Sequence, residues 1–453
     1  MSVDLVIRGG TVVTGEAIYA ADVGVGDGRI VAIGGTMVGR REIDASGLLL
    51  LPGAIDAHVH MAAPAGSATS VDDFETGTRA AAAGGVTTIV DFTVAAPGRR
   101  LAEDIEIRKA ETASALVDVA LHAEIIEWAP TRRAEVGDAV AAGVASFKFY
   151  MTYESVGQRS DAGALYDAFG AIADARGVAM VHAEDEAILR AARARLAPGA
   201  ERKMVALPHC RPAIAEATAI AQATYLAERA GVALHVCHVS SRLGVEAVGR
   251  ARQTGGCVTA ETCPQYLVLS ETVYGGADAA QFSVMPPLRT TEDCAALWES
   301  LGDGIGIVAT DHCPFRTNQK QLVESFEELP YGLAGVETLL PLLYSEGVST
   351  ARIDLRTLVR LIAEEPARVF GLSKRKGRIA VGADGDLVIF DPKAEWLIDP
   401  GAMHSATDFS PYTGRAVRGA VAATLVRGEV VYERGRVVGR PGHGRFVRSR
   451  AAG

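Results

Sequence analysis

Ala54-Ile55-Asp56-Ala57-His58-Val59-His60 decides how this chain is read. Side chains alternate across a β run, so Asp56, His58 and His60 share one face. Two imidazoles two residues apart on a strand can grip one cation together. Seven further apolar β runs follow, at residues 87–92, 118–124, 146–150, 178–184, 233–239, 257–263 and 305–312. Alanine-rich stretches with helical apolar spacing, such as 71–83 and 212–230, lie between most of them. Such alternation predicts a parallel sheet, and eight units suit an α/β fold of the (β/α)8 TIM-like barrel type over residues 52–372. In a barrel the face carrying the two histidines points inward, toward the C-terminal mouth where these folds keep their chemistry.

The two ends of the chain differ from this middle. Residues 4–8, 11–13, 21–25 and 29–33 are short β-like runs separated by Gly-rich or Asp-Gly turns, as hairpins require. Gly382-Ala383-Asp384-Gly385 and the runs 387–390, 421–427 and 430–434 repeat that style. Residues 1–51 and 373–453 are therefore expected to build one small β-sandwich domain from both termini, ending in a C-terminal tail. A chain of 453 residues exceeds what one core supports, which fits a large domain with a smaller one. Its formal net charge of −10 leaves no basic excess for phosphates and argues against a nucleic-acid partner. Arg440, Arg445, Arg448 and Arg450 read as a solvated tail. No apolar run reaches the ~18 residues of a membrane-spanning helix, and the first residues lack the plan of a signal peptide. Six scattered cysteines without a C-x-x-C pair read as reduced core residues of a cytoplasmic protein.

Lys148 lies in Ser146-Phe147-Lys148-Phe149-Tyr150, an apolar run where a bare ammonium is costly to bury. Burial lowers a lysine's pKa and leaves a nucleophilic amine able to capture carbon dioxide. The carbamate so formed is an anionic oxygen donor that can bridge two metals. His182 ends Val178-Ala179-Met180-Val181-His182, His238 ends the sixth run, and Asp311 lies near the end of the eighth. Each alone is an ordinary polar residue at a strand end. At corresponding ends of different strands they supply four imidazoles and two anionic oxygen donors, enough for a two-metal site with Lys148 shared.

The His58/His60 run, the Lys148 run, Val181-His182-Ala183-Glu184, His238-Val239-Ser240 and Thr310-Asp311-His312 resemble the metal motifs of the amidohydrolase superfamily. Three more stretches resemble the hydantoinase/dihydropyrimidinase family of cyclic amidohydrolases: Glu261-Thr262-Cys263-Pro264-Gln265-Tyr266-Leu267, Pro286-Pro287-Leu288-Arg289 and Asp311-His312-Cys313-Pro314-Phe315. The similarity extends along nearly the whole chain, to Gly442-His443-Gly444-Arg445-Phe446-Val447. The resemblance implies two divalent metal ions, one held by His58, His60, carbamylated Lys148 and Asp311, the other by Lys148, His182 and His238. The mixed imidazole and carboxylate set suits Zn2+. It further implies that a hydroxide bridging the metals hydrolyses a cyclic amide, a hydantoin or dihydropyrimidine ring, to an N-carbamoyl amino acid. Asp311 would serve as ligand, base and acid in turn. Tyr153, in Met151-Thr152-Tyr153, would donate to the developing oxyanion, with Tyr150 as the competing residue. A homotetramer is implied as well.

Similar enzymes hold a cyclic ureide through backbone groups of two loops, here those around Met285 and Tyr331. Val284-Met285-Pro286-Pro287 has methionine where relatives often carry serine, and Leu329-Pro330-Tyr331-Gly332 has tyrosine where many have asparagine. Backbone contacts survive side-chain changes, so these departures bear on substrate identity rather than on catalysis. His122, His209, His235 and His312 lie near the motifs outside the ligand positions and read as structural. Non-catalytic scaffold relatives have lost metal ligands, whereas every ligand position is filled here. Allantoinase and, further off, dihydroorotase are the alternatives among enzymes; the Cys263 and Cys313 stretches favour the hydantoinase type.

Overall fold

Every residue of Ala54–Val59, Val86–Phe92, Ser146–Tyr150 and Val178–His182 is buried, as parallel strands covered on both faces require. In the computed structural model, which describes residues 2–66, 68–322 and 324–450, these segments belong to one eight-stranded parallel sheet. Its strands follow chain order: Ala54–Val59, Val86–Phe92, Asp118–Glu124, Ser146–Tyr150, Val178–His182, Ala233–Val236, Val258–Thr262 and Ile307–Val308. Val59 bridges to His312, whose carbonyl accepts from the His60 amide at 2.8 Å, and the sheet thereby curls into a nearly closed barrel. The eight β runs of the sequence are these eight strands. The sixth and eighth end early because His238 (φ 37°) and Asp311 (φ 53°) take left-handed backbone conformations that a strand cannot contain. Helices Phe74–Ala83 and Ala213–Ala230 occupy two of the expected stretches. The first starts later than its apolar spacing suggests because Asp73 caps it, accepting from the amides of Glu75 and Thr76.

The chain ends meet. Leu49–Pro52 pairs antiparallel with Leu387–Leu397, in a seven-stranded sheet that also holds Thr11–Val13, Ile18–Ala20, Ala416–Val426, Glu429–Glu433 and Arg436–Val437. A second sheet contains Ser2–Arg8, Val23–Gly26, Arg29–Ile33 and Val38–Asp44. Leu5, Ile7, Val25 and Ile30 from one sheet form a common core with Leu50, Leu387, Ile389 and Leu425 from the other.

Beneath the barrel, Lys376 Nζ contacts Asp118 (2.5 Å), Asp386 (2.6 Å) and Asp384 (3.0 Å), and Arg427 pairs with Asp118. Buried charges persist only when paired in this way, so the network ties the third barrel strand to the C-terminal strands. The expected solvated tail requires correction. Arg440, Arg445, Arg448 and Arg450 are exposed, but Val447 and Ser449 between them are buried. The tail backbone is held as well: Val119 N donates to Arg445 O at 2.9 Å, and Ser449 N to Gly143 O at 2.9 Å. Residues 451–453 lie outside the described residues. Among the described residues no helix is long and apolar enough to cross a membrane.

Candidate metal and substrate site

His58 sits on the first barrel strand and His60 just beyond it, so both rings project at the C-terminal mouth. His58 Nδ1 lies 2.5 Å from Glu261 Oε1, on the seventh strand, which turns Nε2 toward Asp311 Oδ1 at 3.4 Å. His60 Nε2 approaches the same oxygen at 3.2 Å. These three residues offer ligand atoms within 4.8 Å of one another, a grouping able to hold a metal ion. Asp56 sets this arrangement from below. Its carboxylate accepts from Thr310 N (3.0 Å) and Thr310 Oγ1 (2.5 Å), tying the first strand to the segment that carries Asp311.

His182 and His238 lie beside this group, their ring centroids 4.7 Å apart, and His238 is 5.4 Å from His58. His182 Nε2 is engaged with Glu184 Oε2 at 2.7 Å, and Nδ1 has no hydrogen-bond partner among the described residues. His238 Nδ1 is buried and has no hydrogen-bond partner among the described residues. Lys148, 1 % exposed, points its amine into the same interior, 5.1 Å from the Phe92 ring centre and beside the Cys237 thiol. Burial, and then the charge of Lys148, hold His58 and His238 well below the ordinary imidazole value. Burial lowers His182 as well, against the pull of Glu184. A lowered imidazole pKa favours the neutral form, which keeps the lone pair that metal ligation needs. Burial would raise Asp311, but His58 and His60 outweigh it and hold the group below the usual carboxylate value.

Tyr150 and Tyr153 separate clearly. The Tyr150 hydroxyl donates to Glu124 Oε1 at 2.5 Å and is occupied. The Tyr153 hydroxyl has no partner among the described residues, and its ring centre is 5.0 Å from that of His182. Arg211 lies over Tyr153, its Cζ 5.5 Å from the ring centre, and opposes the rise in phenol pKa that burial causes. The same guanidinium grips both oxygens of Glu184, at 3.1 and 2.5 Å. An Arg211–Glu184–His182 chain therefore connects the tyrosine to an imidazole. Tyr153 (φ 69°), like His238 and Asp311, has left-handed backbone. Strain of about 1–3 kcal/mol per residue persists where surrounding structure enforces it, and it clusters at functional sites.

The loops of Met285 and Tyr331 come together beside this group. Gly332 N donates to Ser283 O at 3.1 Å, and Ser283 Oγ to Pro330 O at 3.1 Å. The Tyr331 hydroxyl donates to Phe326 O at 2.5 Å, and its phenol, which burial pushes up in pKa against the opposing charge of Arg211, lies near Tyr153. The four histidines near the motifs but outside the ligand positions have different surroundings. His122 contacts Ser146 Oγ and Ala57 O, His235 contacts Thr259 and Glu261, His312 contacts Asp72, and His209 is exposed. Glu184 and Glu261 lie in the quoted motifs but carried no role in the sequence, and Arg211 was not singled out. For the two glutamates the available signal was a carboxylate in or just beyond an otherwise apolar run.

Residues 49–431 match the Amidohydrolase family. A D-phenylhydantoinase of Escherichia coli O1:K1 is 37% identical over 453 residues, covering 98% of each chain. A D-hydantoinase of Geobacillus stearothermophilus is 37% identical over 451 residues, covering 98% of this chain and 96% of its own. The crystal structure of dihydropyrimidinase from Brevibacillus agri NCHU1002 superposes with a TM-score of 0.96 at 34% identity over 99% of each chain.

Proposed function

Since the chain belongs to the amidohydrolase family, among its hydantoinases and dihydropyrimidinases, we infer that it is a hydrolase that opens a hydantoin or dihydropyrimidine ring to an N-carbamoyl amino acid. The convergence of His58, His60 and Asp311 at the barrel mouth, with His182, His238 and Lys148 around them, carries this reading.

The donor set fits divalent ions. Neutral imidazoles with a carboxylate suit zinc, and the buried His238 Nδ1 has no other partner among the described residues. Glu261 and Glu184 take the far nitrogens of His58 and His182, as outer carboxylates do at metal-bound histidines. In this reading His58, His60 and Asp311 hold one ion, His182 and His238 the other, and Lys148, as a carbamate, joins both. When bound, the ions supply Lewis acidity and lower the pKa of the attacking water.

The chain's own groups supply the rest. Asp311 accepts the water's proton on its carboxylate as the water adds to the ring carbonyl carbon. It returns that proton to the departing nitrogen as the C–N bond breaks, leaving a carboxylate and a ureido group. Tyr153, with its hydroxyl uncommitted, donates to the carbonyl oxygen as negative charge gathers there. The loops at Met285 and Tyr331 hold the ring through backbone groups. Zinc as the ion, a homotetramer and a cytoplasmic setting belong to the same reading.

Two experiments test it. Purified protein is expected to open hydantoin or dihydrouracil, with close to two metal ions per chain (the number this reading assigns) and activity lost on chelation. Turnover of allantoin alone would replace the assigned ring, and absence of metal after reloading would end the hydrolytic reading. Tyr153→Phe is expected to lower kcat by about 10²–10³ with metal content unchanged. An unaltered kcat would remove the tyrosine from the reaction.

A further inference from the structure

Lys320 is 2 % exposed and has no carboxylate partner among the described residues. Its Nζ donates to Ser283 O at 2.7 Å and to Ser283 Oγ at 3.0 Å, and lies 5.6 Å from the centre of the Phe315 ring. Burial lowers its pKa to about 7, and either form of the amine has a hydrogen for each of these two acceptors. The Lys320 amide donates to Arg316 O and Thr317 O, which fixes the turn that presents the side chain.

Ser283 is the hub of this contact. It is buried, two residues before Met285, and the carbonyl that receives Lys320 also receives the Gly332 amide. Its hydroxyl donates onward to Pro330 O. One amine thus braces the junction between two loops that belong to distant parts of the chain. Without a donor at this point two buried acceptors lose a partner, and the junction weakens.

We propose that Lys320 is a positioning residue for substrate, holding the Met285 and Tyr331 loops at a fixed spacing through Ser283 so that the ring meets backbone groups already in place. The proposal rests on the reading that these loops grip the cyclic amide. Pre-set geometry of this kind lowers the cost of binding and leaves the chemical step alone.

A cavity of about 550 Å³ borders Lys320 together with Lys203, Tyr274, Gln281 and Thr317. Truncation to alanine would admit water able to replace the lost donor. Lys320→Met fills the same space and donates nothing. In full-length, metal-loaded protein, Lys320→Met is expected to raise KM about tenfold with kcat changed less than about threefold. Lys320→Ala should raise KM less. Amide exchange at Gly332 should be at least about fivefold faster in the methionine variant, with metal content and Tm held. Unchanged KM and unchanged Gly332 exchange would overturn the proposal. So would a joint loss of kcat, metal and Tm, which marks general structural support. If the unmodified protein opens no cyclic amide, the functional reading fails by itself, and Gly332 exchange still decides whether the brace exists.

Discussion

Lys148→Ala is expected to lose ring-opening activity and metal together, and short carboxylic acids added to the variant are expected to restore part of both. Lys148 is almost wholly enclosed, and its amine faces an aromatic ring and a thiol, with no carboxylate in a salt bridge to it among the described residues. A permanent ammonium is expensive in such a place, and it would also repel the cations that the neighbouring imidazoles would bind. A carbamate resolves both difficulties by reversing the charge. Removing the side chain leaves a small enclosed space lined by metal-seeking nitrogens, where acetate or propionate can supply the missing oxygens. Metal analysis and kinetics on one sample read the outcome. Full activity in the alanine variant would sink the two-metal assignment. Lost activity with metal retained and no chemical rescue would mean that the lysine acts by another route.

Asp311→Asn should reduce kcat/KM by about 10⁴. Asparagine keeps the shape and one oxygen that His58 and His60 approach, but it can neither accept nor return a proton. Although burial alone would raise this carboxyl, the two histidines hold it below the usual carboxylate value. It is therefore ionised across the neutral range and ready to act as a base. The loss in the variant should accordingly be flat between about pH 6 and 9, because an amide does not titrate there. A variant within tenfold of the unmodified enzyme would show that the proton travels by another group.

The barrel was legible because its strands are covered on both faces: a run such as Val178–His182 is apolar up to its final histidine, and alanine-rich helices separate such runs. The residues grouped at the mouth were legible because each lies within or at the end of such a run. The supporting groups were hidden for a physical reason. Glu261 matters through His58, 203 positions away, and Lys320 through Ser283, 37 positions away. No local pattern records a partner that only folding supplies. The tail misled for a related reason. Its arginines do face water, whereas the alternating Val447 and Ser449 are held against the barrel. The motif position favoured Tyr153 over Tyr150, and the reason Tyr150 is occupied, its hydroxyl bond to Glu124, appears only in the fold.

The pairing of Leu49–Pro52 with Leu387–Leu397 also sets a timetable for biosynthesis. The N-terminal strands leave the ribosome first, yet their partner emerges only after the entire barrel has been made. At roughly 5–20 residues per second that is a wait of some tens of seconds, during which unpaired strand edges are open to pairing with other chains. The small domain can therefore be completed only after the barrel, and until then its early strands depend on being shielded, by a chaperone or by the early barrel helices.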